Sequence, residues 1–516
     1  MSLALPFTIV GSATLLSRVT GFLRDILIAA LLGTGAVAEA YVAAFLIPNL
    51  VRRMMSEGGL HAALVPRLAR LEHEGGTSAA RLFAADMLGL LSATAILLVL
   101  IAEIFMPQIM VVLARGFESD PAKFADAVMF GRIAFPFVGF TLVVALFAAL
   151  LNSVERFAAA ALVPVMLNLL LIAVMLGLLM MADFGQRQAG LVLVITVSLA
   201  GAIQLVVLAS LVARSGFQPL PSLAAFGTAW RNRDVRLVLT MMIPGMLVAG
   251  SGHIHLVIAS QFASLNPHGL APLYFADRLF QLPLGFAASA IGVVLLPRVA
   301  RALGAGDDSA LAAAHGESFH FAALLILPAS VALFLLADPI ITVLFQRGAF
   351  SADDSRATAN NLRILAMALP AFVLAKILLP EFLAAERMRV PLLASILAFL
   401  VNIASVLLLR DTLGVLAPVS GVAIGAWSYA ALLLLLATRT VRLSWSTLRS
   451  LLGVLVATLA MALLLSTLLP WLAPLLQPEN AFVLKGTVLA TLCIAGLAAH
   501  LGAAWVLGAL RFEYSS

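Results

Sequence analysis

Runs of about twenty mainly apolar residues follow one another along almost the whole chain, with short loops between them. A run of that length crosses the hydrocarbon core of a bilayer as a helix, because a helix satisfies its backbone groups internally. The pattern therefore excludes most soluble folds at once. Composition agrees: 63% of residues are hydrophobic and 11% charged, against about 45–50% and about 25% in soluble domains. The formal net charge of +6 then bears on topology, and no nucleic-acid partner is expected. Cys493 is the single cysteine and sits in an apolar stretch, so disulfides play no part. Met1 to Val10 lacks the basic n-region of a cleaved signal peptide and reads as part of the first span.

Fourteen transmembrane helices are predicted, at about 4–32, 37–66, 82–112, 127–152, 159–181, 189–213, 236–263, 270–297, 317–345, 358–384, 391–410, 416–438, 450–473 and 482–508. The fold class is an all-α polytopic membrane protein with no room for a soluble domain. Loops after even-numbered spans hold most of the basic residues: Arg67, Arg70 and Arg81; Arg156; Arg214, Arg231 and Arg233; Arg298 and Arg301; Arg387 and Arg389; Arg439, Arg442 and Arg449. Loops after odd-numbered spans are poorer, with Arg115, Lys123, Arg187, Arg347, Arg356 and Arg410. The positive-inside rule places the even loops and both termini in the cytoplasm.

The chain also repeats itself. Val65-Pro66-Arg67-Leu68-Ala69-Arg70 recurs as Leu296-Pro297-Arg298-Val299-Ala300-Arg301, an offset of 231 (297 − 66). Glu155-Arg156 recurs as Glu386-Arg387, and Arg132-Ile133 as Arg363-Ile364, both at 231. Pro107 followed by Arg115-Gly116 recurs as Pro339 followed by Arg347-Gly348, at 232. Each unit holds six predicted helices, and an even number returns the chain to the same side. The expected organisation is an N-terminal lobe over 1–225, a C-terminal lobe over 226–445 related to it by a parallel pseudo-twofold repeat, and two extra helices over 446–516. Transporters built this way place substrate between the repeats.

Several spans carry charge where charge is costly, about 2.5–3.5 kcal/mol per residue at the helix centre. The first holds Arg18, Arg24 and Asp25; the second Glu39, Arg52, Arg53 and Glu57; the eighth Asp277 and Arg278; the tenth Lys376 and Glu381. The seventh holds His253 and His255, which point in different directions on a helix and read as packed polar residues. Arg52, Arg53 and Lys376 have snorkelling as an alternative, and Asp277 beside Arg278 has a self-neutralised pair. Asp25 adjoins Arg24, and Glu57 lies one turn from Arg53, so several acids can pair locally. The remaining guanidinium groups point to an anionic substrate, phosphate or carboxylate, since arginine offers bidentate donors. A lipid with an anionic headgroup suits so apolar a wall. Pro48, Gly11, Gly21, Gly250, Gly252, Pro283 and Gly285 punctuate the same spans and suggest bends.

These residues resemble a known family. Ser17-Arg18-Val19-Thr20-Gly21-Phe22-Leu23-Arg24-Asp25 looks like the first-helix signature of the MurJ (MviN) lipid II flippases. Ile47-Pro48-Asn49-Leu50-Val51-Arg52-Arg53 followed by Ser56-Glu57-Gly58, Tyr274-Phe275-Ala276-Asp277-Arg278-Leu279, and Leu344-Phe345-Gln346-Arg347-Gly348-Ala349-Phe350 resemble further motifs of that family. The resemblance implies the multidrug/oligosaccharidyl-lipid/polysaccharide exporter fold. It implies a transporter rather than an enzyme, carrying lipid II, an undecaprenyl diphosphate with a disaccharide-pentapeptide, across a bacterial inner membrane for cell-wall synthesis. Carried over residue by residue, the substrate-binding set is Arg18, Arg24, Arg52, Arg53 and Arg278 with Glu39, Glu57 and Asp277. The last two helices would form a groove for the prenyl tail. No cofactor or metal is implied; the partners are lipid II, the surrounding lipids and, for a monomer, the cell-wall synthesis machinery. Glu39 stands where the family often has aspartate, Leu46 where a cation is common, and Gln281 where glutamate is common. Some members bind sodium with carboxylates in the eleventh and twelfth helices, where this chain offers Ser395, Asn402 and Ser405. The alternatives are a drug or polysaccharide-lipid exporter of the same superfamily, and a membrane-embedded enzyme, which would need a metal site or carboxylate cluster that the spans lack.

Overall fold

A computed structural model describes residues 4–55, 60–181, 184–215, 229–385, 387–437 and 444–510. Seventeen α-helices occupy them: α1 (Ala4–Leu32), α2 (Ala36–Met54), α3 (Leu60–Ala114), α4 (Pro121–Ala134), α5 (Pro136–Ser153), α6 (Phe157–Leu179), α7 (Gln186–Arg214), α8 (Arg233–Ala249) and α9 (Ser251–Ala263), then α10 (Leu270–Ala305), α11 (Asp308–Leu335), α12 (Ala337–Leu344), α13 (Ala352–Ala384), α14 (Arg389–Leu413), α15 (Ala417–Leu436), α16 (Trp445–Leu472) and α17 (Phe482–Val506). The protein is an all-α polytopic membrane protein. Nine stretches of described helix are long and apolar enough to cross a membrane, the stretch Arg389–Leu436 holding both α14 and α15. α1 and α2 are not among them, each carrying three charged residues. Large apolar side chains such as Ile104, Leu408 and Leu463 lie exposed, as lipid-facing positions must.

Every predicted span finds a helix, but several are divided. The expected second span ran to about 66, whereas α2 ends at Met54 and Leu60 already opens α3. The fourth is split at Phe135, where Pro136 has no N–H to continue the ladder and instead opens α5. The seventh is split at Gly250, and the ninth at Leu336 (φ −95°, ψ 14°). Of the other expected bends, α1 runs through Gly11 and Gly21, α2 through Pro48 and α10 through Pro283 and Gly285.

The chain divides into two compact units, residues 1–257 and 258–516. In the first, α1 packs on α6, α2 on α4, α3 on α5 and α8, and α7 on α5 and α6. In the second, α10 and α11 pack on α13, α13 and α14 pack on α15, and α16 joins α11 and α17. The sequence repeat is thus written into the elements. α4 opens at Pro121 and α13 at Ala352 (352 − 121 = 231), α5 ends at Ser153 and α13 at Ala384, α7 opens at Gln186 and α15 at Ala417. The packed pairs α2–α4, α3–α5, α5–α7 and α6–α7 have their counterparts in α10–α13, α11–α13, α13–α15 and α14–α15. Two of the breaks correspond as well, while the one at Phe135 has no counterpart in the unbroken α13. Gly76 (φ 71°) interrupts α3, and Gly306 (φ 64°) separates α10 from α11; only glycine takes that conformation without strain. Phe105 in α3 (φ −100°, ψ 16°) matches Leu336 at the offset of 231.

The resembling motif over 344–350 has a packing role. Phe345 and Phe350 both meet Phe275 of α10, with ring centroids 5.4 Å apart in each case. Close helix contact is clearest at α14–α15, where a Cβ on Gly421 would overlap Val406 and the Asn402 side chain. Gly421→Ala should therefore force the two helices apart and cost about 1–3 kcal/mol, the range for overpacking. Thermal unfolding of the purified protein checks this: a lower midpoint is expected, and an unchanged one would show that the helices part freely.

Candidate functional site

At 3.6 residues per turn, Ser17, Thr20, Gly21 and Arg24 share one face of α1. That face meets α6, and α6 presents a buried polar side chain there, Asn168. The amide of Asn168 has both ends occupied. Its Oδ1 accepts from Arg24 Nη1 at 2.9 Å, and its Nδ2 donates to the Ser17 carbonyl at 3.1 Å and to Thr20 Oγ1 at 3.3 Å. Gly21 makes room: a Cβ there would stand 3.2 Å from Asn168 Nδ2. On its other side, Arg24 donates from Nε (3.0 Å) and Nη2 (2.7 Å) to Asp25 Oδ1, in a pair whose side chains are 16% and 5% exposed. The deep arginine is thus neutralised by its neighbour and fixed by an amide from another helix. Arg18, about 120° round the helix from Arg24, is half-buried.

α2 ends on two arginines, where the helix dipole favours cations. Arg52 Nη2 donates to Asn49 Oδ1 at 3.3 Å, and Arg53 Nη1 lies 2.9 Å from Nδ1 of His253 on α9. The end of α2 approaches the break between α8 and α9 closely, because a Cβ on Gly250 would overlap the Met54 side chain. Glu57 lies outside the described residues. Glu39, in the first turn of α2, is fully buried and forms an ion pair with Lys123 of α4, whose ammonium also lies 4.0 Å above the Phe117 ring. That pair fastens α2 to α4, and the buried carboxylate faces Lys123.

In the second unit, Tyr274, Asp277, Arg278 and Gln281 fall on one face of α10, at i, i+3, i+4 and i+7. The guanidinium of Arg278 stacks 4.2 Å from the Tyr274 ring centre. Gln281 donates to Asp277 Oδ2, and the buried Oδ1 has no hydrogen-bond partner among the described residues. Asp277 is therefore held by Gln281. Lys376 is half-buried on α13. Glu381 lies 3.3 Å from Nε2 of His315 on α11, without hydrogen-bond alignment.

Sequence reasoning found the arginines and missed their holders. Asn168 is a single amide in an otherwise apolar run, Lys123 was read as a loop cation, and His253 as a packed polar residue. The available signal is polarity alone: Asn168 is the one strongly polar side chain in α6. Asn168→Leu should leave Arg24 and Thr20 short of partners and lower the unfolding midpoint. In an Arg24→Met background most of that loss should vanish, a coupling of about 1–3 kcal/mol. Additive losses would mean that Asn168 acts without Arg24.

Known proteins share this arrangement of sequence and fold. A family model described as lipid II flippase MurJ matches residues 28–485. A probable lipid II flippase MurJ of Rhizobium meliloti (strain 1021) is 35% identical over 516 residues, covering 98% of this chain and 94% of the relative. A lipid II flippase MurJ of Burkholderia cenocepacia is 31% identical over 389 residues, covering 74% and 73%. Among solved structures, a lipid II flippase MurJ in an inward closed conformation superposes with a TM-score of 0.77 at 18% identity, over 96% of this chain and 98% of that one. An inward-facing multidrug transporter of the MATE family superposes with a TM-score of 0.66 at 16% identity, over 84% and 97%. The structural likenesses report the shared fold; the family model over residues 28–485 and the Rhizobium meliloti relative, which covers 98% of this chain, establish that the chain belongs to the lipid II flippase MurJ family.

Proposed function

We propose that this protein carries lipid II from the cytoplasmic to the periplasmic leaflet of a bacterial inner membrane, for peptidoglycan synthesis and the maintenance of cell shape. Family membership supports the substrate, and the multidrug likeness extends only to architecture. The observation that carries the chemistry is the seat of Arg24, a largely buried guanidinium on α1 held by Asp25 and Asn168. Placing it there is costly, and an arriving anion would add to what its structural contacts already return. The diphosphate of the lipid is such a group, and its oxygens match the fork of arginine donors. Asp25 serves as the resident counter-ion until the headgroup arrives.

On this reading Arg18, Arg24, Arg52, Arg53 and Arg278 bind the diphosphate and the peptide carboxylates, Asp277 and Glu57 receive donors from the headgroup, and Glu39 acts through its clasp with Lys123. The lobes over 1–225 and 226–445 alternate access to the two leaflets, the helices over 446–516 accept the prenyl chain, and fourteen spans leave both termini in the cytoplasm. The protein works as a monomer beside the cell-wall synthesis machinery. The basic loops after even-numbered spans support the orientation.

Rescue of a bacterium depleted of its own flippase tests the proposal. The wild-type chain should restore growth, and Arg18→Ala, Arg24→Ala and Arg278→Ala should each fail although they reach the membrane. Full growth with all three variants would refute the assigned roles.

A further inference from the structure

We infer that the face shared by α3 and α4 receives a transmembrane helix of a partner protein, and that a carboxylate on that helix pairs with Arg132. The inference goes beyond the proposed transport and does not depend on which lipid is carried.

The internal repeat shows what Arg132 lacks. Its counterpart in the second unit is Arg363 (363 − 231 = 132). Arg363 is held within the chain: its Nη2 pairs with Asp338 of α12, and its Nη1 donates to Asn360 Oδ1 at 2.8 Å. At the same offset the place of Asp338 falls to Pro107 and that of Asn360 to Met129 (338 − 231 = 107; 360 − 231 = 129). Neither side chain offers a strong acceptor. Among the described residues Arg132 forms no ion pair, and its hydrogen bond runs from Nε to the Glu103 carbonyl at 3.2 Å.

Where the second unit has those two holders, the first has a cavity. It measures about 510 Å³ and is lined by Pro107 and Met129 themselves, by Phe124 and Val128, and by Arg132, the single polar residue of the lining. From Phe124 to Arg132 it extends about 12 Å along α4. One cation in an otherwise apolar lining suits an apolar side chain that fills the space and one anion that fixes its position.

Depth selects the kind of anion. Glu103 lies eleven residues before the end of α3 at Ala114, and Arg132 eleven after the start of α4 at Pro121 (114 − 103 = 132 − 121 = 11). Their contact is therefore about 16 Å from the turn that joins the helices. Ile104 beside it and Val112, two turns nearer that turn, are both exposed. Arg132 thus stands within the apolar belt, where lipid phosphates do not sit. A carboxylate on a membrane helix reaches that level, and charges placed there pair with one another. Its two oxygens match the arginine fork. A cation in the last turn of α4 also gains from the helix dipole. That gain would account for an arginine without a visitor, and it predicts no preference for an acid.

A model helix serves as the probe: about 22 leucine and alanine residues with one central glutamate, or glutamine in its place. A dye on Ile104→Cys, made together with Cys493→Ser, reports its binding to the full chain in phosphatidylcholine vesicles. The glutamate helix should bind about tenfold more tightly than the glutamine helix. Arg132→Gln should erase that preference. Arg363→Gln, whose partner is Asp338, and Glu103→Gln should keep it. Adding phosphatidylglycerol should leave it in place. The inference is overturned if the wild type binds both helices alike, or if the preference survives Arg132→Gln. It is also overturned if phosphatidylglycerol removes the preference, because the anion on Arg132 is then a lipid headgroup.

Discussion

A guanidinium group cannot be left alone in hydrocarbon, and much of this structure follows from that constraint. Arg24 is the clearest case. Burying it requires an anion or several acceptors nearby, and the chain supplies Asp25 from the next position and Asn168 from another helix. Those needs in turn fix how α1 lies against α6. Gly21 lets the amide sit against the helix, and the Ser17 carbonyl and Thr20 hydroxyl take up the remaining donors. Moving α6 along α1 would unmake these hydrogen bonds together, so the polar cluster sets the register that apolar packing alone would leave loose.

The same economy appears at the ends of α2. Its first turn is fastened to α4 by Glu39 and Lys123, its last turn to α9 by Arg53 and His253. A helix with three charged residues is thereby fixed at both ends by specific partners, while its middle packs by small residues such as Ala40, Ala43 and Ala44. In the second unit the corresponding stretch of α10 sets its charges along one face instead, Tyr274 under Arg278 and Gln281 against Asp277 Oδ2, while Asp277 Oδ1 has no hydrogen bond among the described residues. The repeat has kept helix starts and ends and some of the breaks, and changed the polar solutions.

The spans were legible because bilayer thickness imposes a length on every crossing; α1, α6 and α17 fall within two or three residues of their expected bounds. The internal repeat was legible from a handful of short matches and extends to helix starts, ends and two of the breaks. What stayed hidden was whatever depends on tertiary contact. The break at Gly250 was among the expected bends, whereas those at Phe135 and Leu336 interrupt long apolar runs, and hydropathy does not register them. At the site, the adjacency of Arg24 and Asp25 was readable as a pair, since it needs no fold. Asn168 lies 144 positions from Arg24 and His253 lies 200 from Arg53, and nothing local in either helix announces the partner. Lys123 falls between the spans expected at about 82–112 and 127–152, yet it sits in the first turn of α4 facing Glu39.

The central claim is that buried arginines hold the diphosphate of the carried lipid. The most direct measurement compares the affinity of the purified protein for lipid II with that for an analogue carrying one phosphate in place of two, in the wild type and in Arg24→Gln. The account predicts a clear preference for the diphosphate in the wild type, largely erased in the variant. Equal affinity for both lipids, or a preference that survives the loss of Arg24, would contradict it.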